Sequence, residues 1–578
     1  MTAADFSEID ISVPEAIVRV IEGYGIKFVF GVPGGNSMHI FGALSQRRKT
    51  IRTVAVRHES LAGVMAEVYG RLTGLPGVVM GQGLFILTNA LLGVMEAKMG
   101  STPMLVMTEM SDGAPFSHHA PYQAGTGDYG TWDAPKSFGA VSKETFLAHA
   151  PVQAIQHTQT AFRVAMQGQG GPVSLIYHSE ALKGTVNSTD RPHLYATDSY
   201  CRPAPPRTGS ENITNAMKAL QGAKQPVIIA GNGIRLAKAY DQLRQLAELT
   251  GTGVATTSAG KGVFPEDHPL ALGVFGTFGL ATANAFIGDA DVVLIVGSKL
   301  SPSDTAFENR KLIDPARQNL IQIDIENRNA GWTYPCSQVL IGDAAHILTQ
   351  MGNAAERLGA ALSDTVRKRK RAIQTTREEF GYFDESEYAS DELPMLPQRV
   401  IAELRRVIAE DAFVSCDAGE NRLFMARYFQ TRGEGGFLSP AATGGMGYAI
   451  PAAMTAKLLF PERQAIAVCG DGGFSMSMNG MLTAVEENIP IVTLVLNNSA
   501  YGWVTHYLED RAIAAEFPDM KAAEIARAMG CEGTRVETPD QLKVALKAAL
   551  EGNQPTLLDV VCSKRISYRD ILSPLATG

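Results

Sequence analysis

Short apolar runs alternate with helix-length amphipathic segments along almost the whole chain. IKFVFGV, GVVMG, TPMLVMTE and PVSLIYH come first; PVIIAGNG, DVVLIVGSK and NLIQIDI follow; AIAVCGDGG, PIVTLVLNN and PTLLDVVC close the series. Runs that are apolar at nearly every position, rather than at every second one, are strands buried on both faces. The helical stretches between them supply the crossovers that parallel strands need. The pattern predicts an α/β protein of doubly wound parallel sheets. At 578 residues the chain exceeds what one core can hold. The runs group into three domains, at about 1–190, 200–355 and 385–565. ATDSYCRPAPPRTGS (196–210) and the charged tract 366–393, where a helix gives way to a loose crossing, read as linkers, and no repeat relates the three parts.

Composition narrows the function classes. Hydrophobic residues make up 45%, charged residues 19%, and there are 57 glycines, an ordinary globular balance. A net charge of −8 offers no footprint for nucleic acid. No apolar stretch is long enough for a membrane span. The acidic opening MTAADFSEIDISVPEAIVRVIEGYG argues against a signal or transit peptide. Cys201, Cys336, Cys416, Cys469, Cys531 and Cys562 are scattered without metal-ligand spacing, as reduced thiols of a cytoplasmic protein would be.

The chemistry concentrates in GDGGFSMSMNGMLTAVEENIPIVTLVLNN, residues 470–498. AIAVCGDGG is a strand, a glycine turn and a helix start, which places backbone N–H groups where a phosphate can sit, at Gly472 and Gly473. Asp471 ends one strand and Asn498 the next, 27 positions on. Parallel neighbours bring such ends together. A carboxylate, an amide oxygen and a backbone carbonyl make a site for Mg²⁺, which completes its octahedron with water and substrate phosphates.

A GDG…NN pair spaced this way resembles the thiamine diphosphate enzymes, most closely the acetolactate synthase and pyruvate oxidase branch, over essentially the whole chain. The resemblance implies thiamine diphosphate and Mg²⁺ as cofactors, with Asp471, Asn498 and the Ala500 carbonyl as metal ligands and Tyr501 beside them. AGEN (418–421) matches the loop that reaches the diphosphate, bringing in Gly419, Glu420 and Asn421. TGGMGYAIPAAM (443–454) matches the loop around the aminopyrimidine ring. There Met446 would prop the bent cofactor and the Gly444 carbonyl would accept from the amino group. VRHESLAGVMAEVYGRLTG (56–74) carries Glu59 in the R-H-E context of the glutamate that activates the pyrimidine. Gly35 lies in the first glycine turn, GVPGGNSMHIF (31–41), and belongs with the cofactor-binding set. Glu59 and Asp471 fall in different domains, which in this family meet across a subunit boundary, so a homodimer or homotetramer is implied.

The chain departs from the synthase pattern where substrate should bind. SGPGATN becomes GLFILTN (83–89), so that Leu84, Phe85 and Ile86 stand beside the reacting carbon. The usual AFQE region becomes SHHAPYQAGTGDYGTWDAPKSFGAVSK, with Tyr129–Gly130 opposite the Phe-Gln pair, and Tyr507 replaces a tryptophan. His118 and His119 resemble the histidine pair of the 2-oxo acid decarboxylases. Those enzymes also need an aspartate in the first glycine turn and a glutamate after the second asparagine, where this chain has Gly35 and Val504. The candidate polar groups facing substrate are Gln82, His118, His119 and Gln123, with Glu59, His118, His119 and Gln123 as the catalytic set. The central domain resembles the part of the synthases where a flavin often binds. FAD, an ADP moiety or nothing are the alternatives, and AGNG (230–233) and VGSKL (296–300) are its nucleotide-like edges.

The resemblance thus implies a lyase or carboligase that acts on a 2-oxo acid or α-diketone through a C2 carbanion and an enamine, with a small carbonyl compound as substrate. The alternatives are a 2-oxo acid decarboxylase, a cyclic dione hydrolase, and a non-catalytic relative.

Overall fold

The computed structural model describes Phe6 and residues 10–112, 123–200, 204–359 and 363–576. The chain divides into two compact units, Met1–Ala204 and Pro205–Gly578.

The first unit is built on a six-stranded parallel sheet. A two-residue strand, β1 (Ile11–Ser12), pairs with β8 (Thr185–Val186) outside it. Between them run β2 (Phe28–Gly31), β3 (Arg52–Ala55), β4 (Gly77–Met80), β5 (Met104–Met110), β6 (Glu144–Ala148) and β7 (Pro172–His178). Their order in the sheet is β3-β2-β4-β5-β7-β6. Every residue of β4 and β5 is buried, as the unbroken apolar runs require. Chain order reverses between β2 and β4, so the turns after those strands flank the crevice where an open α/β sheet takes its ligand.

The second unit holds two further six-stranded parallel sheets. The first comprises β9 (Pro226–Ala230), β10 (Gly253–Thr256), β11 (Ala271–Val274), β12 (Val292–Val296), β13 (Asn319–Asp324) and β14 (Gln338–Ile341), in the order β11-β10-β9-β12-β13-β14. The second comprises β15 (Phe413–Cys416), β16 (Phe437–Leu438), β17 (Ala465–Gly470), β18 (Val492–Asn497), β19 (Glu532–Val536) and β20 (Thr556–Val561), in the order β16-β15-β17-β18-β20-β19. The protein is therefore an α/β fold of three parallel-sheet domains.

A buried polar rivet ties the two sheets of the second unit together. The Lys261 ammonium donates to both Glu266 oxygens at 2.8 Å, and Glu266 Oε2 accepts from the Thr431 amide at 2.7 Å. Arg235 donates to the carbonyls of Lys261 and Phe437 at 2.7 and 3.0 Å.

The tract 366–393 divides in two. The helix Ser363–Phe380 occupies its first half. Buried Arg369 on that helix donates to the carbonyls of Thr250, Leu220, Gln221 and Ala223, and Ile373 joins the central core. A charge-rich helix with one buried guanidinium docks by satisfying the carbonyls at the ends of neighbouring helices, so the looser chain begins only at Gly381. Among the described residues no helix is long and apolar enough to cross a membrane.

Candidate active site

In the second unit the register carries the argument. Gly470 on β17 pairs with Leu496 on β18, so Asp471 emerges beside the Asn497–Asn498 pair. Asp471 is 1% exposed. Its Oδ1 accepts from the Gly472 amide at 2.7 Å, and its Oδ2 from the amides of Asn498 and Ser499 at 3.0 and 2.6 Å. Burial pushes this carboxyl above its ordinary range, and the surrounding N–H groups pull it back. Among the described residues, the Asn498 amide oxygen accepts only from the Ala500 amide, at 3.2 Å. No backbone N–H of the described residues donates to the Ala500 carbonyl. The Asp471 carboxylate thus lies beside the Asn498–Ala500 turn at one sheet edge, and the Tyr501 ring packs against Gly472.

The neighbouring turn completes a cradle. Gly419, with φ at 80°, precedes the helix Glu420–Tyr428, and a side chain at Gly419 or at Gly470 would project into open space. Asn421 donates to the carbonyls of Asp417 and Val468 at 3.2 and 2.9 Å, and its buried Oδ1 has no partner. Glu420 does not face this cradle through a free oxygen at Oε1. That atom accepts from the Tyr568 amide at 2.7 Å and meets His506 Nδ1 at 2.7 Å.

Asp417 was missed from sequence. Its Oδ1 takes the amides of Tyr448 and Ala449 at 2.6 and 2.7 Å, and its Oδ2 that of Gly447 at 3.0 Å. Burial raises its pKa to about 6 against those three bonds. The bonds fix the start of the helix Ala449–Leu459, and with it the loop carrying Gly444 (φ 67°) and half-buried Met446. The available signal was an acid ending the strand FVSC, just as Asp471 ends AIAVCG.

In the first unit Glu59 opens the helix Glu59–Thr73, capped by His58. This helix is nearly all buried, and its Arg71 donates to Glu67 and Glu96 at 2.8 Å each. Gly63 and Gly93 let it touch the helix Leu91–Gly100 backbone to backbone, and the Asn89 amide just before that helix donates to Glu59 Oε2 at 2.8 Å. Asn89 is a site residue that sequence reasoning passed over.

The departures from the synthase pattern behave unevenly. Leu84 and Phe85 are exposed on this unit, at 37% and 46%, whereas Ile86 is fully buried against Gly81. Ile86 is therefore a core residue and lines no pocket. Gln123 is buried, and its Oε1 accepts from the Leu84 amide at 2.7 Å. That oxygen holds the Gly83–Leu84 turn, and only the amide nitrogen is left to meet a ligand. Tyr507 is 59% exposed. His118 and His119 lie outside the described residues. In the central domain AGNG and VGSKL pack on each other: a side chain at Gly231 would meet the Gly297 carbonyl at 2.4 Å.

An acid and an amide at the ends of adjacent parallel strands, beside open glycine turns, are groups that could hold a diphosphate and a hard divalent cation. In the first unit a half-buried glutamate stands at a helix start. Family comparison agrees with that class. The N-terminal TPP binding domain of the thiamine pyrophosphate enzymes matches residues 11–125, their central domain residues 213–351, and their C-terminal TPP binding domain residues 417–560. The chain belongs to the thiamine pyrophosphate enzyme family. It is 29% identical to a probable acetolactate synthase large subunit of Methanocaldococcus jannaschii, over 95% of this chain and 91% of the relative. It is 29% identical to the acetolactate synthase isozyme 3 large subunit of Escherichia coli, over 95% and 94%. A sulfoacetaldehyde acetyltransferase of Alcaligenes xylosoxydans is 28% identical over 97% and 95%.

Proposed function

We propose that this thiamine diphosphate-dependent enzyme breaks or forms a C–C bond next to the carbonyl of a small substrate, and that its substrate differs from the oxo acid pair of the acetolactate synthases. The observation that carries the reading is Asp471 held against the Asn498–Ser499 amides at the ends of adjacent parallel strands, beside the open turns at Gly419 and Gly470. Asp471, Asn498 and the Ala500 carbonyl would hold Mg²⁺, and the Gly473 amide would donate to the diphosphate. When bound, thiamine diphosphate supplies a nucleophilic carbon that adds to a carbonyl.

The chain's own part is to hold and move protons. Glu59, fixed by Asn89 through one oxygen, would present the other to the pyrimidine nitrogen and set its tautomer. Met446 and Gly444 are the residues that would flank such a ring. Leu84 and Phe85 give the substrate side an apolar wall. An apolar wall discriminates by only about 1–3 kcal/mol per methylene, so polar groups decide substrate identity. Gln82, His118 and His119 are those groups, with the amide nitrogen of Gln123. The active form is a homodimer or homotetramer in the cytoplasm, and no flavin takes part in the proposed chemistry.

The test is to load the purified chain with thiamine diphosphate and Mg²⁺ and analyse products from pyruvate and from a panel of α-diketones by mass spectrometry. Weak acetolactate formation, better turnover of another carbonyl compound, and loss of activity without loss of cofactor in His119→Ala are expected. Acetolactate formation at a rate typical of the synthases, with a silent His119→Ala, would restore the plain synthase reading.

A further inference from the structure

The strand β5 reads MLVMTEM, and its one acid, Glu109, is 2% exposed at the C-terminal edge of the first sheet. Its Oε2 accepts from the Asn36 amide at 3.2 Å. Its Oε1 lies 2.2 Å from the point a β-carbon on Gly35 would occupy, with Gln82 Cγ 3.0 Å from the same point. The Asn36 backbone N–H is a further donor to this carboxyl, and no side chain among the described residues donates to Oε1. Gly35, at φ 53°, is thus required twice: by its backbone and by the carboxyl above it. Glu109 and Gly35 stand on β5 and after β2, either side of β4, at the crevice where chain order reverses.

We propose that Glu109 is a specificity-determining acid of this enzyme, which hydrogen-bonds through Oε1 to an uncharged carbonyl or hydroxyl oxygen of the substrate seated over the Gly35 turn. The inference rests on the functional reading above. It names a substrate class, neutral ketones, α-diketones or hydroxyketones, and disfavours a 2-oxo acid, whose carboxylate would be repelled by the ionised form of Glu109 and, beside the protonated form, would give up its hydration for a single neutral donor. The electrostatics agree with the geometry. Burial raises the Glu109 pKa, the Asn36 hydrogen bonds oppose this, and the Asp112 carboxylate adds to it. From the other elements packed against Glu109, the glycine turn contributes neutral Asn36, the turn after β4 neutral Gln82, and β7 its paired Tyr177, itself held protonated by burial. A carboxyl raised in this way keeps its proton, and so its donor, at pH values where exposed carboxyls are ionised. The donor is lost as pH rises through the raised value.

The experiment compares the parent with Glu109→Gln and Glu109→Ala. Both variants should keep thiamine diphosphate affinity by calorimetry and hydrogen–deuterium exchange at the cofactor's C2, which depend on other residues. In the parent, turnover of a neutral diketone should fall on the alkaline side; in Glu109→Gln that limb should vanish while much of the rate remains, and in Glu109→Ala the rate should drop at all pH values. The preference of kcat/KM for the diketone over pyruvate should fall at least tenfold in Glu109→Ala. Infrared difference spectra of the cofactor-free chain should show a protonated carboxyl that titrates above the ordinary range and is missing from Glu109→Gln. Unchanged pH profile and substrate preference, or no such infrared band, would overturn the assignment. Failure of the parent to bind cofactor or exchange C2 would instead overturn the functional reading and the substrate role with it, while the infrared titration would still decide whether Glu109 carries the proton.

Discussion

The three glycines around Asp471 make a graded test of the diphosphate turn, because a methyl group at each would meet something different. At Gly470 it meets open space, with an ordinary φ of −79°. At Gly472 it lies 2.4 Å from Tyr501 Cε1, and at Gly473 it lies 2.2 Å from Asp417 Oδ2. Tyr501 can swing its ring, so Gly472→Ala should cost the usual overpacking penalty of about 1–3 kcal/mol. Asp417 cannot yield so easily. To reach ordinary contact its carboxylate must retreat by about 1 Å, which stretches its bond to the Gly447 amide from 3.0 Å beyond hydrogen-bonding range and disturbs those to Tyr448 and Ala449. Each buried N–H left unmet costs about 1–3 kcal/mol, so Gly473→Ala should lose about 3 kcal/mol or more. Gly470→Ala should stay within about 1 kcal/mol, the cost of replacing glycine by alanine at a helix N-cap. Its methyl would nevertheless occupy the space assigned to the diphosphate. Denaturant titration of the cofactor-free chain, paired with calorimetry of thiamine diphosphate and Mg²⁺ binding, separates the two effects. Gly470→Ala should fold normally yet bind at least tenfold more weakly, a difference of about 1.4 kcal/mol. The reasoning fails if Gly473→Ala is as stable as the parent, or if Gly470→Ala binds cofactor with parental affinity.

The other predictions use the same protein and simpler readouts. Asp471→Ala removes one of two side-chain oxygens from the cation site and should abolish cofactor retention; unchanged affinity by calorimetry would sink the metal assignment. Glu59→Gln should bind cofactor and keep its contact with Asn89, yet slow C2 hydrogen–deuterium exchange by orders of magnitude, and parental exchange would refute its role. Gln123→Ala frees the Leu84 amide and should destabilise the first unit by about 1 kcal/mol, measured by amide exchange across 83–89; unaltered protection there would show that the Gln123 bond does not hold the turn.

The three sheets were legible in the sequence because parallel strands buried on both faces must be apolar throughout, and VVLIV or AIAVCG leaves little else to be. Asp471 and Asn498 were legible for a different reason. Their spacing spans one crossover, so a strand–helix–strand reading already places them side by side. Charge over 366–393 does not mean looseness throughout: the helix Ser363–Phe380 uses Arg369 to reach buried carbonyls, a contact that charge pattern alone does not disclose. The volume argument over Leu84, Phe85 and Ile86 failed at one position of the three. In a short helix successive side chains point about 100° apart, so three neighbours cannot line one wall; Ile86 turns into the core while Leu84 and Phe85 stay outside.

Glu109 and Asp417 escaped for a common reason, and their difference bears on function. Each is a lone acid at the end of an apolar strand, with no partner at a telling interval in sequence. Each is revealed by a glycine on another strand's turn, whose missing side chain leaves room for the carboxyl: Gly35 for Glu109 and Gly473 for Asp417. Spacing cannot expose such a pairing, because it depends on which turns a sheet sets side by side. What separates the two acids is hydrogen-bond saturation. Asp417 receives three backbone N–H groups, which use both oxygens and tie down the start of a helix, so it serves structure. Glu109 receives donors from Asn36 alone and sets Oε1 over a glycine turn at the crevice of the first sheet. A buried carboxyl with so few donors is costly unless something else satisfies it. At this edge the natural partner is an oxygen of the substrate.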